Sequence, residues 1–118
     1  MSTILIVDDE EIIRRELCEY LSLRGYVVRE ANGRDEAIAV MKTEPIHAAL
    51  IDYRMPGANG IDVLAYIKKE FPAVKVIFVT GEADNSVVEH ALTNGAAAFF
   101  IKPVDGSAIA DTLTTLLS

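Results

Sequence analysis

The chain has 118 residues, of which 51% are hydrophobic, and a formal net charge of −7. The length suits one domain, and the apolar content is sufficient for a hydrophobic core. The acidic balance repels polyanions and argues against direct nucleic-acid binding. Membrane insertion is not expected, because the longest apolar run is far below the roughly 20 residues of a membrane helix. The lack of a signal-peptide pattern and a single cysteine, Cys18, predict a cytoplasmic protein.

Short β-branched runs alternate with amphipathic stretches of helical period along the chain. The runs predict five strands, at Thr3–Val7, Tyr26–Arg29, His47–Ile51, Lys75–Val79 and Ala97–Ile101. The amphipathic stretches predict five helices, at Glu10–Arg24, Asp35–Lys42, Ile61–Glu70, Asp84–Asn94 and Asp105–Leu117. Alternation of this kind builds a parallel sheet with helices on both faces. We therefore predict a doubly wound α/β fold with a five-stranded parallel sheet, in a single domain spanning residues 1–118.

Polar side chains stand at the carboxyl ends of four of the predicted strands. Asp8 and Asp9 follow the first strand, Asp52 the third, Thr80 the fourth and Lys102 the fifth. In a parallel sheet these ends meet at one edge, where ligands bind. Each residue alone is explained by a helix cap, a turn or a solvated strand end. Together they crowd three carboxylates, which would raise their pKa values unless a cation compensates the charge.

These residue types fit phosphoryl transfer to an aspartate. Magnesium prefers oxygen ligands, and one or two carboxylates plus a phosphate would complete its coordination. The transfer itself needs little beyond an in-line nucleophile, a metal ion and positive charge near the phosphoryl oxygens. Asp52 can be the nucleophile, because carboxylates form aspartyl-phosphates. Lys102 would neutralise one phosphoryl oxygen, and Thr80 would donate a hydrogen bond to another.

With the loop after Asp52 included, the chain resembles the receiver domain of two-component response regulators over essentially its whole length. The matching motifs are the acidic pair, Asp-x-x-Met-Pro-x-x-x-Gly at 52–60, Thr80, and Lys102 followed by proline. The resemblance implies a flavodoxin-like (βα)5 fold. It also implies that Asp52 accepts a phosphoryl group from a sensor histidine kinase or a histidine phosphotransfer protein. Such a domain assists its own phosphorylation and dephosphorylation and is not a conventional turnover enzyme.

The resemblance further implies a metal site. Asp9, Asp52 and the main-chain carbonyl of Arg54 would bind Mg²⁺ directly, with Mn²⁺ as a substitute, and Asp8 would act through a water molecule. This set of oxygen donors agrees with the preference of magnesium for hard ligands.

Thr80 resembles the family's switch hydroxyl, and Phe100 the switch aromatic that turns inward on phosphorylation, although core packing also explains Phe100. The readout would be the surface of the fourth helix, fifth strand and last helix, which would meet a downstream effector, an output domain or a second phosphorylated copy.

Arg54 and Glu82 lie two positions beyond Asp52 and Thr80, where the family's side chains border the phosphoryl group. We expect them either to pair and slow hydrolysis or to be separate surface charges.

A docking surface for the phosphodonor is predicted on the first helix. Ile12 lies off the inward stripe, and Ile13 and Glu16 are its neighbours. Single exposed apolar residues are also common in proteins that bind nothing there. The sequence fits both a stand-alone relay protein and a receiver that belongs to a longer regulator.

Three other functions are compatible with parts of the pattern. A phosphohydrolase of the haloacid-dehalogenase family needs a second Asp two positions after its nucleophile, where this chain has Arg54. A flavodoxin-like nucleotide or flavin binder needs a phosphate-cradling glycine loop after the first strand, where the acids at 8–11 would repel phosphate. The third is a receiver-like interaction module that works without phosphorylation.

Overall fold

The computed structural model describes residues 2–55, 58–81 and 85–118. The strands of its main sheet are β1 (Thr3–Val7), β2 (Val27–Ala31), β3 (Ala48–Asp52), β4 (Lys75–Thr80) and β5 (Ala98–Ile101). The helices are α1 (Glu11–Leu23), α2 (Arg34–Thr43), α3 (Gly60–Glu70), α4 (Asn85–Thr93) and α5 (Gly106–Leu117). All neighbouring strands are parallel, in the order β2-β1-β3-β4-β5, which confirms the predicted doubly wound fold. In the described part of the chain, no helix has the length and apolar character that crossing a membrane requires.

The observed elements differ from the predicted ones mainly at their ends. β2 continues to Ala31, two residues beyond its predicted end, because it pairs with β1 along its whole length. Asp52 and Thr80 belong to their strands instead of following them, since Asp52 pairs with Val79 and Thr80 with Ile101. The backbone ladder between strands continues regardless of side-chain polarity. The polar residues are therefore held by the sheet itself.

Alternate strand side chains divide between two apolar cores on the opposite faces of the sheet. The core under α2, α3 and α4 receives Leu5, Val7, Ala49, Ile51, Val76 and Phe78 from the strands. The core under α1 and α5 receives Ile4, Ile6, Ala48, Leu50, Ile77 and Val79. Residues two apart on a strand lie on the same face of the sheet, so the Asp52 side chain lies on the face that α1 and α5 cover.

The turn predicted after Asp52 contains a short antiparallel ladder between Arg54–Met55 and Ala58–Asn59. Two-residue strands are too short to produce a readable alternation, so the sequence did not predict them. The Asn59 side chain caps α3 by accepting a hydrogen bond from the Asp62 N–H, which satisfies a free amide of the first turn. Pro56 of the motif and the following Gly57 lie outside the described residues.

Candidate functional site

The Lys102 ammonium lies among three carboxylates at the carboxyl edge of the sheet. Its Nζ is 3.0 Å from Asp8 Oδ2, 3.1 Å from Asp52 Oδ2 and 3.1 Å from Glu10 Oε1. Asp8 and Asp52 are buried, with 3% and 6% of their surface exposed, whereas the Glu10 side chain is 56% exposed. The predicted meeting of the strand ends is thus observed for Asp8, Asp52 and Lys102, and Glu10 joins them.

The backbone around Asp8 fixes the direction of its side chain. The Asp8 N–H donates to the carbonyl of Ala31, 3.1 Å away, and so extends the pairing of β1 with β2 by one step. Asp8 Oδ1 accepts a hydrogen bond of 2.9 Å from the Glu10 N–H, as acidic side chains do at the start of helices. This leaves Oδ2 to face Lys102.

Asp52 is held in a similar way by its own loop. Its Oδ1 accepts a hydrogen bond of 3.2 Å from the Arg54 N–H, and its Oδ2 accepts one of 3.1 Å from Lys102. Burial raises the pKa of Asp52, and the hydrogen bond from Lys102 opposes that shift. Lys102 therefore favours the ionised form of a carboxylate that lies in a poorly solvated place.

Lys102 is held by both its backbone and its side chain. Its N–H donates to the Thr80 carbonyl, 2.6 Å away, which ties the end of β5 to the end of β4. Burial opposes the charge on its ammonium, but hydrogen bonds to Asp8, Glu10 and Asp52 prevail and raise its pKa above the ordinary value. Lys102 is therefore cationic throughout the neutral pH range.

The donor set at this edge suits a hard divalent cation. One oxygen from each of Asp8, Glu10 and Asp52 lies within 4.8 Å of the other two, and carboxylate oxygens are ligands that magnesium prefers. Three carboxylates with one ammonium carry two formal negative charges, which a divalent ion would balance. Asp9, predicted as a direct ligand, is exposed and lies outside this group of described residues.

The two residues predicted as the switch lie on different faces of the sheet. Thr80 is buried at the end of β4, on the same face as Phe78. Phe100 packs against the core under α1 and α5, whereas its neighbour Phe99 packs against the core that contains Phe78, at 6.3 Å between ring centroids. Phe99, and not the predicted Phe100, is therefore the aromatic residue of β5 on the face of Thr80.

The remaining predicted residues lie around the rim. Arg54 is exposed at the mouth of the site, and its predicted partner Glu82 lies outside the described residues, so the pairing stays a prediction. Ile12 is 76% exposed. Ile13 and Glu16 line a hollow of about 270 Å³ that also reaches Lys102. The predicted docking residues Ile13 and Glu16 thus lie beside Lys102 of the acidic site.

Sequence reasoning missed two residues of this site, Glu10 and Arg14. Arg14 Nη1 donates a hydrogen bond of 2.8 Å to the Asp8 carbonyl. A signal was available for both, because Glu10 directly follows the acidic pair and Arg14 comes four positions later, one helical turn along α1. The pattern of apolar residues, which served to define the helices, says nothing about either side chain.

Comparison with known proteins agrees with this geometry. The family model of the response regulator receiver domain matches residues 4–114. The cyclic di-GMP phosphodiesterase of Thermotoga maritima is 37% identical over 103 residues, which cover 87% of this chain and 27% of that protein. The transcriptional regulatory protein LnrK of Bacillus subtilis is 32% identical over 120 residues, which cover 100% of this chain and 54% of that protein. The chain spans about half the length of these relatives, or less.

Solved structures show the same architecture. A CheY-like response regulator receiver domain protein from Methanospirillum hungatei is 32% identical, with a TM-score of 0.94 over 99% of this chain and 94% of that one. A response regulator from Burkholderia pseudomallei, solved with a phosphorylated aspartic acid, a calcium ion and citrate, is 26% identical, with a TM-score of 0.89 over 96% of this chain and 66% of that one. From its fold, its edge of buried acids around a lysine and these matches, the chain belongs to the response regulator receiver domain family, the signalling modules of two-component systems.

Proposed function

We propose that Asp52 is the phosphoacceptor of this receiver domain and that its phosphoryl group comes from a histidine of a sensor kinase or a phosphotransfer protein. The observation that carries the proposal is the buried Asp52 carboxylate at the end of β3, hydrogen-bonded to the same ammonium as Asp8. The phosphorylated aspartic acid of the Burkholderia pseudomallei relative supports it.

In the proposed transfer, the bond from phosphorus to the donor nitrogen breaks as a bond forms from phosphorus to a carboxylate oxygen of Asp52. The Arg54 N–H orients that carboxylate through Oδ1. Lys102, charged at neutral pH, turns from Asp52 toward a phosphoryl oxygen once the carboxylate has lost its charge. Mg²⁺, with Mn²⁺ as a substitute, would be held by Asp52, the Arg54 carbonyl and the acids at 8–10, and when bound it balances charge on the phosphoryl oxygens.

We also propose a population shift that links phosphorylation to the surface of α4, β5 and α5. The Thr80 hydroxyl would donate to a phosphoryl oxygen, and the space that it leaves would admit an aromatic ring of β5. Phe99 suits this role better than Phe100, because it shares the face of Thr80. The altered surface would meet an effector, an output domain or a second copy of the chain.

The phosphodonor would dock on the first helix, beside the site. Ile12 offers an exposed apolar side chain, and Ile13 and Glu16 line the hollow next to Lys102. A helix carrying a phosphohistidine would cover this hollow and bring its phosphoryl group to Asp52. A receiver-like module that works without phosphorylation is the alternative, and it would not require an ionised acid beside Lys102.

The test is the intact mass of the protein after incubation with magnesium and acetyl phosphate. The wild type is expected to gain one phosphoryl group. The control Asp35→Ala, in which one exposed aspartate is removed, is expected to gain one as well, and Asp52→Ala is expected to gain none. Thr80→Ala is expected to gain the group as well but to lose the amide chemical-shift changes in β5 and α5 that phosphorylation produces in the wild type. No adduct on the wild type, or an adduct retained by Asp52→Ala, would contradict the proposal.

A further inference from the structure

Arg14 connects the acidic loop to the end of β2. Its Nη1 donates to the Asp8 carbonyl and its Nε donates to Glu30 Oε1, each over 2.8 Å. The Arg14 side chain is only 13% exposed, whereas that of the adjacent Arg15 is 66% exposed. Arg14 is thus a nearly buried cation that donates from Nε and from Nη1 to two different partners.

The group that Arg14 holds is the peptide between the two acids of the motif. The Asp8 carbonyl belongs to the Asp8–Asp9 peptide bond, whose plane sets the direction in which Asp9 leaves the strand. The other side of Asp8 is fixed as well, since its N–H donates to the Ala31 carbonyl. Ala31 directly follows Glu30 on β2. Both peptide groups of Asp8 are therefore tied to the same strand end, one directly and one through Arg14.

We propose that Arg14 is a positioning residue, anchored by Glu30, that fixes the Asp8–Asp9 peptide and thereby sets the affinity of the acidic site for a divalent cation. The planar guanidinium donates in two fixed directions at once, which the single ammonium of a lysine does not reproduce. Groups that orient metal ligands in this way typically change metal affinity about 10- to 100-fold when they are replaced. The inference rests on the proposed function, because it assumes that the acids bind magnesium.

The chain offers a matched control in Arg15. Arg15 also approaches Glu30, with its Nε 3.5 Å from Oε1, and it pairs with Glu11 on the helix surface. Its charge lies near the same acids, but none of its described contacts reaches the Asp8 carbonyl. Arg14→Lys and Arg15→Lys both keep the positive charge, so a difference between the variants reports the geometry of the guanidinium group.

The experiment is a calorimetric titration of magnesium into the wild type and the two variants, below the unfolding temperature of each. Arg14→Lys is expected to bind magnesium about 10-fold more weakly than the wild type, and Arg15→Lys to bind it like the wild type. Without magnesium, the amide resonances of Asp8 and Asp9 are expected to shift in Arg14→Lys only. Phosphorylation of Arg14→Lys by acetyl phosphate should recover at saturating magnesium, because Asp52 and Lys102 are intact.

The outcomes separate this inference from the proposed function. If the wild type binds no magnesium and gains no phosphoryl group, the proposed function fails. If the wild type binds magnesium and Arg14→Lys binds it equally well, the positioning role is wrong and the proposed function stands. If Arg14→Lys does not fold, the same titration is made with Glu30→Gln. This variant weakens the ion pair that anchors Arg14 and leaves Arg14 in place. Wild-type affinity in a folded Glu30→Gln would then overturn the role of the anchor.

Discussion

The interior of the sheet and its carboxyl edge are built by the same strands but follow opposite energetic rules. In β3, Ala48–Ile51 are apolar and buried, and Asp52 is buried directly after them. Burial of the apolar residues stabilises the fold by about 25 cal/mol per Å² removed from water. Burial of a carboxylate is unfavourable unless a partner compensates its charge. The edge is therefore maintained by charge balance and the interior by packing.

The largest expected effect comes from removing the cation of the edge. Lys102→Met would leave Asp8 and Asp52 buried without their compensating ammonium. Loss of one partner of a buried ion pair typically destabilises a protein by about 3–5 kcal/mol, so we expect a loss of about that size at pH 7. The measurement is urea unfolding followed by circular dichroism.

The control for that variant is Lys75→Met, which replaces an exposed lysine at the opposite end of β4. We expect it to change the free energy of unfolding by less than about 0.5 kcal/mol. The loss in Lys102→Met should also shrink as the pH falls and Asp52, whose pKa is raised by burial, becomes protonated. Equal stability of the two variants would show that Lys102 does not balance the buried acids.

An intermediate effect is expected where the interior meets the edge, at Gly60. A Cβ at this position would lie 2.5 Å from Phe78 Cε1 and 2.9 Å from Tyr53 Cα. Gly60→Ala therefore overpacks the core and is expected to destabilise the fold by about 1–3 kcal/mol. Gly81→Ala is the matched control, because a Cβ there meets none of the residues that the structure describes within 4 Å. An unchanged unfolding temperature of Gly60→Ala would show that the neighbouring atoms shift to make room for the added Cβ.

The smallest expected effect concerns the pH dependence of Asp52. Burial raises its pKa, with Lys102 opposing the shift. A carboxyl group whose pKa is higher in the folded chain binds its proton more tightly there, so its ionisation lowers stability as the pH rises above the unfolded value of about 3.9. Asp52→Asn is therefore expected to unfold at a higher temperature than the wild type at pH 7. This gain should vanish as the pH falls below about 4.

Asp105→Asn is the comparison variant, because the pKa of Asp105 is shifted in the direction opposite to that of Asp52. Hydrogen bonds from Ser107 lower the pKa of this exposed N-cap carboxyl group. Its ionised form therefore stabilises the folded chain above the unfolded pKa, and this stability is lost as the pH falls through the lowered pKa. A lower unfolding temperature of Asp52→Asn at pH 7 would show that the charge at the edge is stabilising after all.

The sequence alone determined the order and type of the ten main elements, because the apolar period is a local property that each segment carries by itself. It also selected Asp52, Thr80 and Lys102, since a polar residue at the end of an apolar run is visible without a structure. Element ends were less accurate, as at Ala31, because ladder pairing with a neighbouring strand decides where a strand stops.

Only the tertiary structure decided which of these groups meet. Asp8 and Glu10 contact Lys102, although Asp9 is equally acidic, because the turn after β1 directs neighbouring side chains to different sides. The link from Arg14 to Glu30 joins residues 16 positions apart, so no local pattern predicts it. Periodicity reports which side chains are buried, but the direction of a charged group depends on partners that folding brings from other elements.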